Sequence, residues 1–210
     1  MPKNSTTSIQ PIITIPNPNL RLKSKPVEKI DKKIKGVLDT LRRTLIKSHG
    51  VGLAAPQIDE QWRIFATYLP LAEPTKYSPP NKLSKNFDPV KFFINPKIVK
   101  NCGKKTFAKE SDGTYTLEGC LSVPHLFAPV PRYQWVEVEY QTLNEKGELS
   151  APKREKFSDY FARNMQHEYD HLEGVLFTDY LRDNNIILYR ENPQTGRLTE
   201  VEDLSFIYAF

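Results

Sequence analysis

The segment QHEYDHLEG, residues 166–174, constrains the fold of this chain more than any other feature. Residues four positions apart lie one above the other on a helix, so His167 and His171 can direct ring nitrogens at one ion, with Glu168 beside them. The opposite face of this helix is apolar and consists of Phe161, Met165, Tyr169 and Leu172. The helix must therefore pack on one face and present ligands on another, which requires that other elements surround it.

The flanking residues predict where this helix begins and ends. Ser158 is a suitable N-cap, and Gly174 stands where a helix ending near Leu172 would stop. Tyr160 and Asn164 fall on the same face as the two histidines. Both are candidate walls of a site, and core packing is an equal alternative for Tyr160.

Hydrophobic periodicity predicts the remaining elements. Apolar residues at steps of three and four predict a helix over Ile30–Lys47, with Gly50 as its stop. Three segments predict strands: Trp62–Leu69, Phe92–Lys100 and Gln134–Thr142. Turn sequences predict hairpins at residues 144–147 and at 192–196, and the second hairpin takes the place of a long C-terminal helix.

We expect a single domain over residues 1–210, because a chain of this length buries one substantial core. Two excursion loops interrupt it. Residues 70–89 contain five prolines, which cannot donate to a sheet ladder, and residues 101–117 are strongly polar. After about residue 182 the tail is predicted to be non-helical.

Composition excludes several classes of protein. The chain has only two cysteines, which argues against a disulfide framework and for a reducing compartment. The net charge of +5 comes from interspersed basic and acidic residues, which favours a solvated surface over a nucleic-acid site, so no DNA partner is expected. No apolar run is long enough for a membrane span or a signal peptide, which predicts a cytoplasmic protein.

Two histidines do not complete a catalytic metal site, because such a site needs three protein ligands and an open position. The candidates are acids, other histidines and cysteines. Cys120 lies in EGCLSVP, residues 118–124, and a thiolate is a strong ligand. The preceding Gly119 allows close approach of the backbone. Considered alone, Cys120 would be read as a small buried hydrophobic residue.

A third segment, HGVGLAAPQ at residues 49–57, follows the first predicted helix. Gly50 and Gly52 permit unusual dihedral angles or a close approach, and Gln57 offers an amide donor. Glycine-rich and alanine-rich turns after helices are usually structural, so this segment is weak evidence when taken alone.

Taken together, GVGLAAPQ, EGCLSVP and QHEYDHLEG resemble the peptide deformylase family in order and separation. The resemblance extends from IPNPNLR at residues 15–21 to GVLFTDYL at residues 174–181. It implies an α+β fold in which mixed or antiparallel sheets pack around a central metal-binding helix. It also implies a hydrolase that removes the N-formyl group from N-formylmethionine of newly made polypeptides and releases formate.

The resemblance also implies roles for single residues. Cys120, His167 and His171 would hold one divalent ion, Fe²⁺ in the native state, and Zn²⁺, Ni²⁺ or Co²⁺ could occupy the same ligands. The implied catalytic residues are Glu168 as general base, Gln57 and the Leu121 N–H as oxyanion donors, and Gly52. The implied substrate-binding residues are Gly50, Val51, Gly119, Tyr160 and Asn164. Glu118 is expected to pair with Arg132 and to hold the Cys120 loop in place.

The implied partners are N-formylmethionyl nascent peptides and, transiently, the ribosome. A monomer in a bacterial cytoplasm is expected, and an organellar origin remains open. Phe127 stands where some members carry an arginine that contacts substrate, which puts side-chain preferences beyond methionine in doubt. His49, His125 and Cys102 are left without a role.

Two other functions compete with this interpretation. A zincin-type metallopeptidase shares the His-Glu-x-x-His helix but takes its third ligand downstream, where only Glu173 and Glu191 are conceivable because no histidine follows His171. The second competing function is that of a catalytically inactive, metal-stabilised module that docks on ribosomes or RNA. Such a module would need neither Glu168 as a base nor Gln57 as a donor.

Overall fold

A computed structural model of the protein describes residues 10–69, 88–184 and 186–207, which form antiparallel sheets and helices. The helices are α1 (Lys32–Ser48), α2 (Asp159–Leu172) and the single turn α3 (Leu181–Asn184). The strands are β1 (Gly52–Ala54), β2 (Ile64–Tyr68), β3 (Val90–Asn101), β4 (Lys105–Thr106), β5 (Leu117–Cys120), β6 (Val123–Pro129), β7 (Arg132–Tyr133), β8 (Trp135–Gln141), β9 (Lys153–Ser158), β10 (Tyr189–Glu191) and β11 (Leu198–Glu200). The predicted α+β fold is confirmed.

Helix α1 is capped at Asp31, whose carboxylate accepts a hydrogen bond from the Ile34 N–H at 2.9 Å. Its apolar stripe is buried as the periodicity predicts. The predicted bounds were wrong at both ends. The Asp31 cap starts the helix two residues later than Ile30, and the chain leaves it through His49, which adopts the left-handed conformation at φ 54°, before Gly50 is reached.

The larger sheet has the strand order β1-β2-β3-β8-β9 and is covered on both faces. Side chains alternate across a strand, so Ile64 and Ala66 of β2 pack with α1, while Phe65 packs in the cluster that contains α2. Burial on both faces explains why β2 is apolar almost throughout. The sheet thereby fixes one face of α2 and leaves another face for the site.

Helix α2 has the predicted bounds. Ser158 occupies the N-cap position, although its side chain makes no capping hydrogen bond. Gly174 ends the helical segment with φ 72°, and a Cβ atom there would lie 2.3 Å from the Arg21 carbonyl oxygen. Only glycine satisfies both constraints, so the segment that carries the motif stops against the N-terminal part of the chain.

The smaller sheet has the strand order β11-β10-β6-β5, which leaves β5 at its edge. Strands β5 and β6 form a hairpin whose register shifts between Gly119 and Cys120, so that Cys120 lies opposite Val123. This shift puts Cys120 at the tip of the hairpin. The tip is the part of the smaller sheet that reaches α2.

The tail and the excursions differ in how far they follow the prediction. The C-terminal hairpin is confirmed as β10 and β11, and β10 also pairs with β6. The tail is not wholly non-helical, since α3 runs to Asn184 and a 3-10 turn covers Ser205–Ile207.

Within 101–117, β4 pairs with β7, so this excursion is folded. Most of the predicted loop at 70–89 lies outside the described residues, and the single-domain expectation stays a prediction.

None of the helices in the described ranges is both long and apolar enough to cross a membrane.

We predict that Leu45→Ala lowers the free energy of unfolding by about 2–5 kcal/mol, because Leu45 is fully buried between α1 and the larger sheet. The neighbouring Ile46 is 45% exposed, so Ile46→Ala should change stability by less than about 0.5 kcal/mol. Urea unfolding followed by circular dichroism measures both. Equal effects of the two substitutions would contradict the assignment of the buried face.

Candidate active site

Three potential metal ligands converge where the β5–β6 hairpin meets α2. The ligand atoms of Cys120, His167 and His171 all lie within 4.8 Å of one another. The Cys120 Sγ is 3.3 Å from the His171 Nε2. One thiolate and two imidazoles are a donor set for first-row transition metals, and three protein ligands leave a tetrahedral position open. The residues present therefore fit a catalytic metal ion.

Glu118 orients the first histidine. Its Oε2 lies 3.3 Å from the His167 Nδ1, which leaves Nε2 as the ligand nitrogen. Arg132 donates to the same carboxylate from Nε at 3.1 Å and from Nη2 at 2.9 Å. The predicted pair of Glu118 with Arg132 is thus confirmed. Glu118 is on β5 and His167 is on α2, so the contact between these two residues joins the two halves of the site.

The network around this pair contains residues that sequence reasoning missed. Arg163 donates from Nη2 to the Glu118 Oε1 at 3.0 Å. Asp170 accepts from Arg132 and from the Tyr180 hydroxyl, the latter at 3.0 Å. A signal was available, because Arg163 and Asp170 lie four residues before and three after His167 on one helix.

Burial gives the charged groups of the site different protonation states. It raises the pKa of Glu168 to about 7, although the neighbouring His167 acts in the opposite direction. Burial lowers the pKa of His171 well below its ordinary value, so this ring is neutral, the form that binds a metal. Burial alone would raise the pKa of Glu118, but Arg132 and His167 lower it, so that carboxylate is ionised.

Gln57 is held with its amide donor directed toward Cys120. It lies in the 3-10 turn Ala55–Ile58 after β1 and is 2% exposed. Its Oε1 accepts from the Ala54 N–H at 2.8 Å, which turns Nε2 toward the Cys120 Sγ at 3.6 Å and the Ser122 Oγ at 3.2 Å. A side chain fixed in this way is a preorganised donor.

Gly52 allows β1 to approach α2 closely. A Cβ atom at Gly52 would lie 2.2 Å from the Glu168 Oε1 and 2.8 Å from the Asn164 Nδ2. The glycine is required here by contact distance and not by a positive φ. The backbone of β1 therefore runs directly beside the Glu168 carboxylate, whose Oε2 has no hydrogen-bond partner among the described residues.

A cavity of about 530 Å³ opens between β1, β5 and α2. It is lined by eleven of the twelve residues predicted to act in catalysis, substrate binding or metal binding: Gly50, Val51, Gly52, Gln57, Gly119, Cys120, Leu121, Tyr160, Asn164, His167 and Glu168. His171 is 1% exposed and lies behind the cavity wall. His49, His125 and Phe127 also line the cavity, a location that the sequence did not indicate for the two histidines. The individual roles stay predictions.

The two cysteines have different surroundings. Both are free thiols, so the structure contains no bond between Cys102 and Cys120. Cys102 accepts a hydrogen bond from the Gln134 N–H at 3.3 Å, and it is absent from the lining of the cavity. Only Cys120 can serve the metal site.

Comparisons with known proteins agree on one family. The family model of polypeptide deformylase matches residues 9–186. Peptide deformylase 2 of Nostoc sp. is 39% identical over 175 residues, covering 83% of this chain and 87% of that protein. Peptide deformylase of Pseudothermotoga lettingae is 38% identical over 173 residues, covering 82% of this chain and 83% of that protein. The crystal structure of peptide deformylase from Ehrlichia chaffeensis matches with a TM-score of 0.66 at 33% identity, covering 85% of this chain and 90% of that one.

We predict that Cys120→Ser abolishes stoichiometric binding of a divalent metal, whereas Cys102→Ser retains it, because only Cys120 faces both histidines. Substitution with Co²⁺ provides the measurement, since a cysteine ligand gives an absorption band that a serine cannot give. Metal content by elemental analysis gives a second readout. Equal loss of metal in both variants would contradict the assignment.

Proposed function

The chain belongs to the polypeptide deformylase family, and from this premise we propose how its cavity performs the family reaction. The protein is a hydrolase that removes the N-formyl group from N-formylmethionine of newly made polypeptides, and its family is metal-dependent. The observation that carries the proposal is the convergence of Cys120, His167 and His171 beside the Glu168 carboxylate, on a cavity open to a peptide.

Cys120, His167 and His171 would hold the ion of the reaction, and we propose Fe²⁺ as the native metal. Zn²⁺, Ni²⁺ or Co²⁺ could take the same place, because a set of two histidines and one cysteine suits several first-row ions. An ion bound there supplies Lewis-acid polarisation and lowers the pKa of a coordinated water. Glu118 would keep the His167 ring oriented for this role.

Glu168 would act as the general base and then as the general acid. It would accept a proton from the attacking water and return it to the departing amine. A pKa of about 7 suits a group that both takes and gives a proton near neutral pH. The Glu168 Oε2 has no hydrogen-bond partner among the described residues, so no protein group competes for that proton.

Gln57 and the backbone N–H of Leu121 would stabilise the oxyanion that forms at the formyl carbon. The Gln57 amide is already fixed by the Ala54 N–H, so its donor requires no reorganisation when charge develops. Leu121 directly follows the ligand Cys120 and lines the cavity, which is consistent with a donor beside the ion.

The substrate would bind as an extended chain between two sheet edges. Strand β1 is an edge of the larger sheet and β5 is an edge of the smaller one. Edge strands carry unpaired backbone groups that can bind a peptide. Gly50, Val51, Gly52 and Gly119 would line its path, and the methionine side chain would point along α2 toward Asn164 and Tyr160.

The peptidase alternative finds no support in the acids after α2. Both oxygens of Glu173 are engaged, Oε1 with Arg63 at 2.6 Å and Oε2 with Lys23 at 2.7 Å. Glu191 lies 3.8 Å from the His125 ring and does not belong to the ligand cluster. The nearness of Cys120 to both histidines favours the deformylase ligand set.

We also propose that the protein acts as a monomer in a bacterial-type cytoplasm or in an organelle. Its partners would be formylmethionyl nascent peptides, with transient contact to the ribosome.

We predict that Glu168→Gln lowers formate release from a formyl-Met-Ala-Ser peptide by about 10²–10⁴-fold at matched metal content, because the amide cannot take a proton. The protein is purified anaerobically with Fe²⁺ or Ni²⁺. Glu173→Gln, on the same helical segment but outside the cavity, is the control and should retain parental turnover. A folded, metal-loaded parent that releases no formate would refute the proposal. Salt-dependent RNA binding by that inactive protein would then favour the docking module.

We predict that Gln57→Ala lowers kcat by about 10²–10³-fold while metal content stays at the parental level. The reason is the loss of one fixed donor to the oxyanion. Gln61→Ala is the matched control, because Gln61 lies four residues further on and does not line the cavity. Near-parental turnover in Gln57→Ala would remove this residue from the mechanism.

A further inference from the structure

The hydroxyl of Tyr180 is a junction of hydrogen bonds behind the metal ligands. Tyr180 ends the 3-10 turn Phe177–Tyr180 after α2, and it does not line the catalytic cavity. Its hydroxyl donates to the Asp170 Oδ2 at 3.0 Å and accepts from the Arg132 Nη1 at 3.3 Å and the Lys105 Nζ at 3.2 Å. These three bonds use the one proton and both lone pairs of the hydroxyl. Removal of the hydroxyl would therefore affect three charged side chains at once.

Arg132 transmits this arrangement to the site, because its guanidinium group is planar. Its Nε and Nη2 bind the Glu118 carboxylate at 3.1 and 2.9 Å, while its Nη1 binds Asp170 and Tyr180. Holding one edge of a planar fork also sets the direction of the other edge. The Glu118 Oε2 lies 3.3 Å from the His167 Nδ1. The Tyr180 hydroxyl is thus linked to the direction in which the His167 ring points.

Lys105 reaches the same junction from the 101–117 excursion. Much of the residue is exposed, but its Nζ lies 4.8 Å from the centre of the Tyr180 ring and 5.5 Å from that of Tyr133. Burial lowers the pKa of Lys105, and the charge of Asp170 acts in the opposite direction. The ammonium group is therefore partly removed from water and interacts with the network.

The backbone of the excursion supports the same arginine. Strands β4 and β7 form a two-stranded sheet of their own, in which Thr106 lies opposite Arg132 and Lys105 lies opposite Tyr133. The Arg132 side chain is 1% exposed, so its donors depend on protein partners and not on water. The excursion is thus connected to Arg132 twice, directly through β4 and indirectly through the contact of Lys105 with Tyr180.

We propose that the contact between Lys105 and Tyr180 is a positioning element of the metal site, through which the 101–117 excursion and Arg132 keep the His167 ring directed at the ion. Neither Lys105 nor Tyr180 lines the cavity, so both are positioning residues and not catalytic ones. This inference rests on the proposed function, because it concerns the ligands that this function requires.

The first test is Tyr180→Phe, which removes the hydroxyl and keeps the ring. Zn²⁺ should pass from this variant to a chromophoric chelator at least about threefold faster than from the parent, because support of a ligand's orienting group is lost. The thiolate absorption band of the Co²⁺ form should change. At saturating metal, kcat for formyl-Met-Ala-Ser should fall about three- to tenfold with KM unchanged, since the substrate contacts remain.

Tyr140→Phe is the matched control for loss of a hydroxyl. The Tyr140 hydroxyl also donates to a carboxylate, that of Glu155, but it does so in the core of the larger sheet. This variant should have lower stability, with metal release and the Co²⁺ spectrum at parental values. If Tyr180 had a merely structural role, the two variants would behave alike, and that result would overturn the proposal.

The second test is Lys105→Met, at a position exposed enough to tolerate the change. It should also speed metal release at least about twofold, and Lys105→Arg should restore the parental rate. Lys104→Met removes the same charge from a neighbouring exposed residue, which contacts Cys102 through its backbone carbonyl, and should have no effect. In the double variant, Lys105→Met should add almost nothing to Tyr180→Phe, because the hydroxyl that it binds is already absent.

An unchanged rate of metal release in Tyr180→Phe or in Lys105→Met would overturn the proposal, and so would additive effects in the double variant. If Tyr180→Phe does not fold, the comparison of Lys105→Met with Lys104→Met decides. Failure of the proposed function is recognised separately, by the absence of formate from a metal-loaded parent. Metal release requires no turnover, so its rates test the positioning role even in that case.

Discussion

The carboxylate of Glu118 joins the two parts of the protein that must meet for a site to exist. It accepts hydrogen bonds from Arg132 and Arg163 and lies against the His167 ring. Arg132 has a side-chain exposure of only 1%, so each charge in this group depends on its partners. Removing one partner of a buried pair typically costs about 3–5 kcal/mol. The register of the β5–β6 hairpin against α2, and with it the ligand geometry, depends on this network.

The same network makes the pKa values of two buried carboxyl groups differ. Glu118 has cationic partners that hold its pKa below the ordinary value, whereas burial raises the pKa of Glu168 to about 7. One group is a permanent charge that orients a ligand, and the other can exchange a proton. Opposite environments for two nearby carboxyl groups are how enzymes assign separate roles to the same chemistry. Gly52 completes the arrangement by letting the β1 backbone run beside Glu168.

The 101–117 excursion illustrates how an addition to a scaffold can change the space around a site without touching its chemistry. Pairing of β4 with β7 gives the excursion a fixed position next to the N-terminal end of α2. It lines a second cavity there, while Cys120, His167 and Glu168 line the first cavity on the other side of Tyr160. Rigid secondary structure carries the reacting groups, and a connecting segment shapes what can approach them.

The sequence by itself determined the features that depend on nearest neighbours along the chain. These are the bounds of α2 from Ser158 and Gly174, the shared face of His167 and His171, and the alternation of β8, because helical and strand periods are local properties. The family motifs also predicted Cys120 as the distant ligand, and the structure brings its Sγ within 4.8 Å of the ligand atoms of both histidines. Tertiary structure alone decided how the tip of the β5–β6 hairpin meets α2 and how the second cavity forms behind Tyr160. Each of these arises from contacts between segments far apart in the chain, which no local pattern encodes.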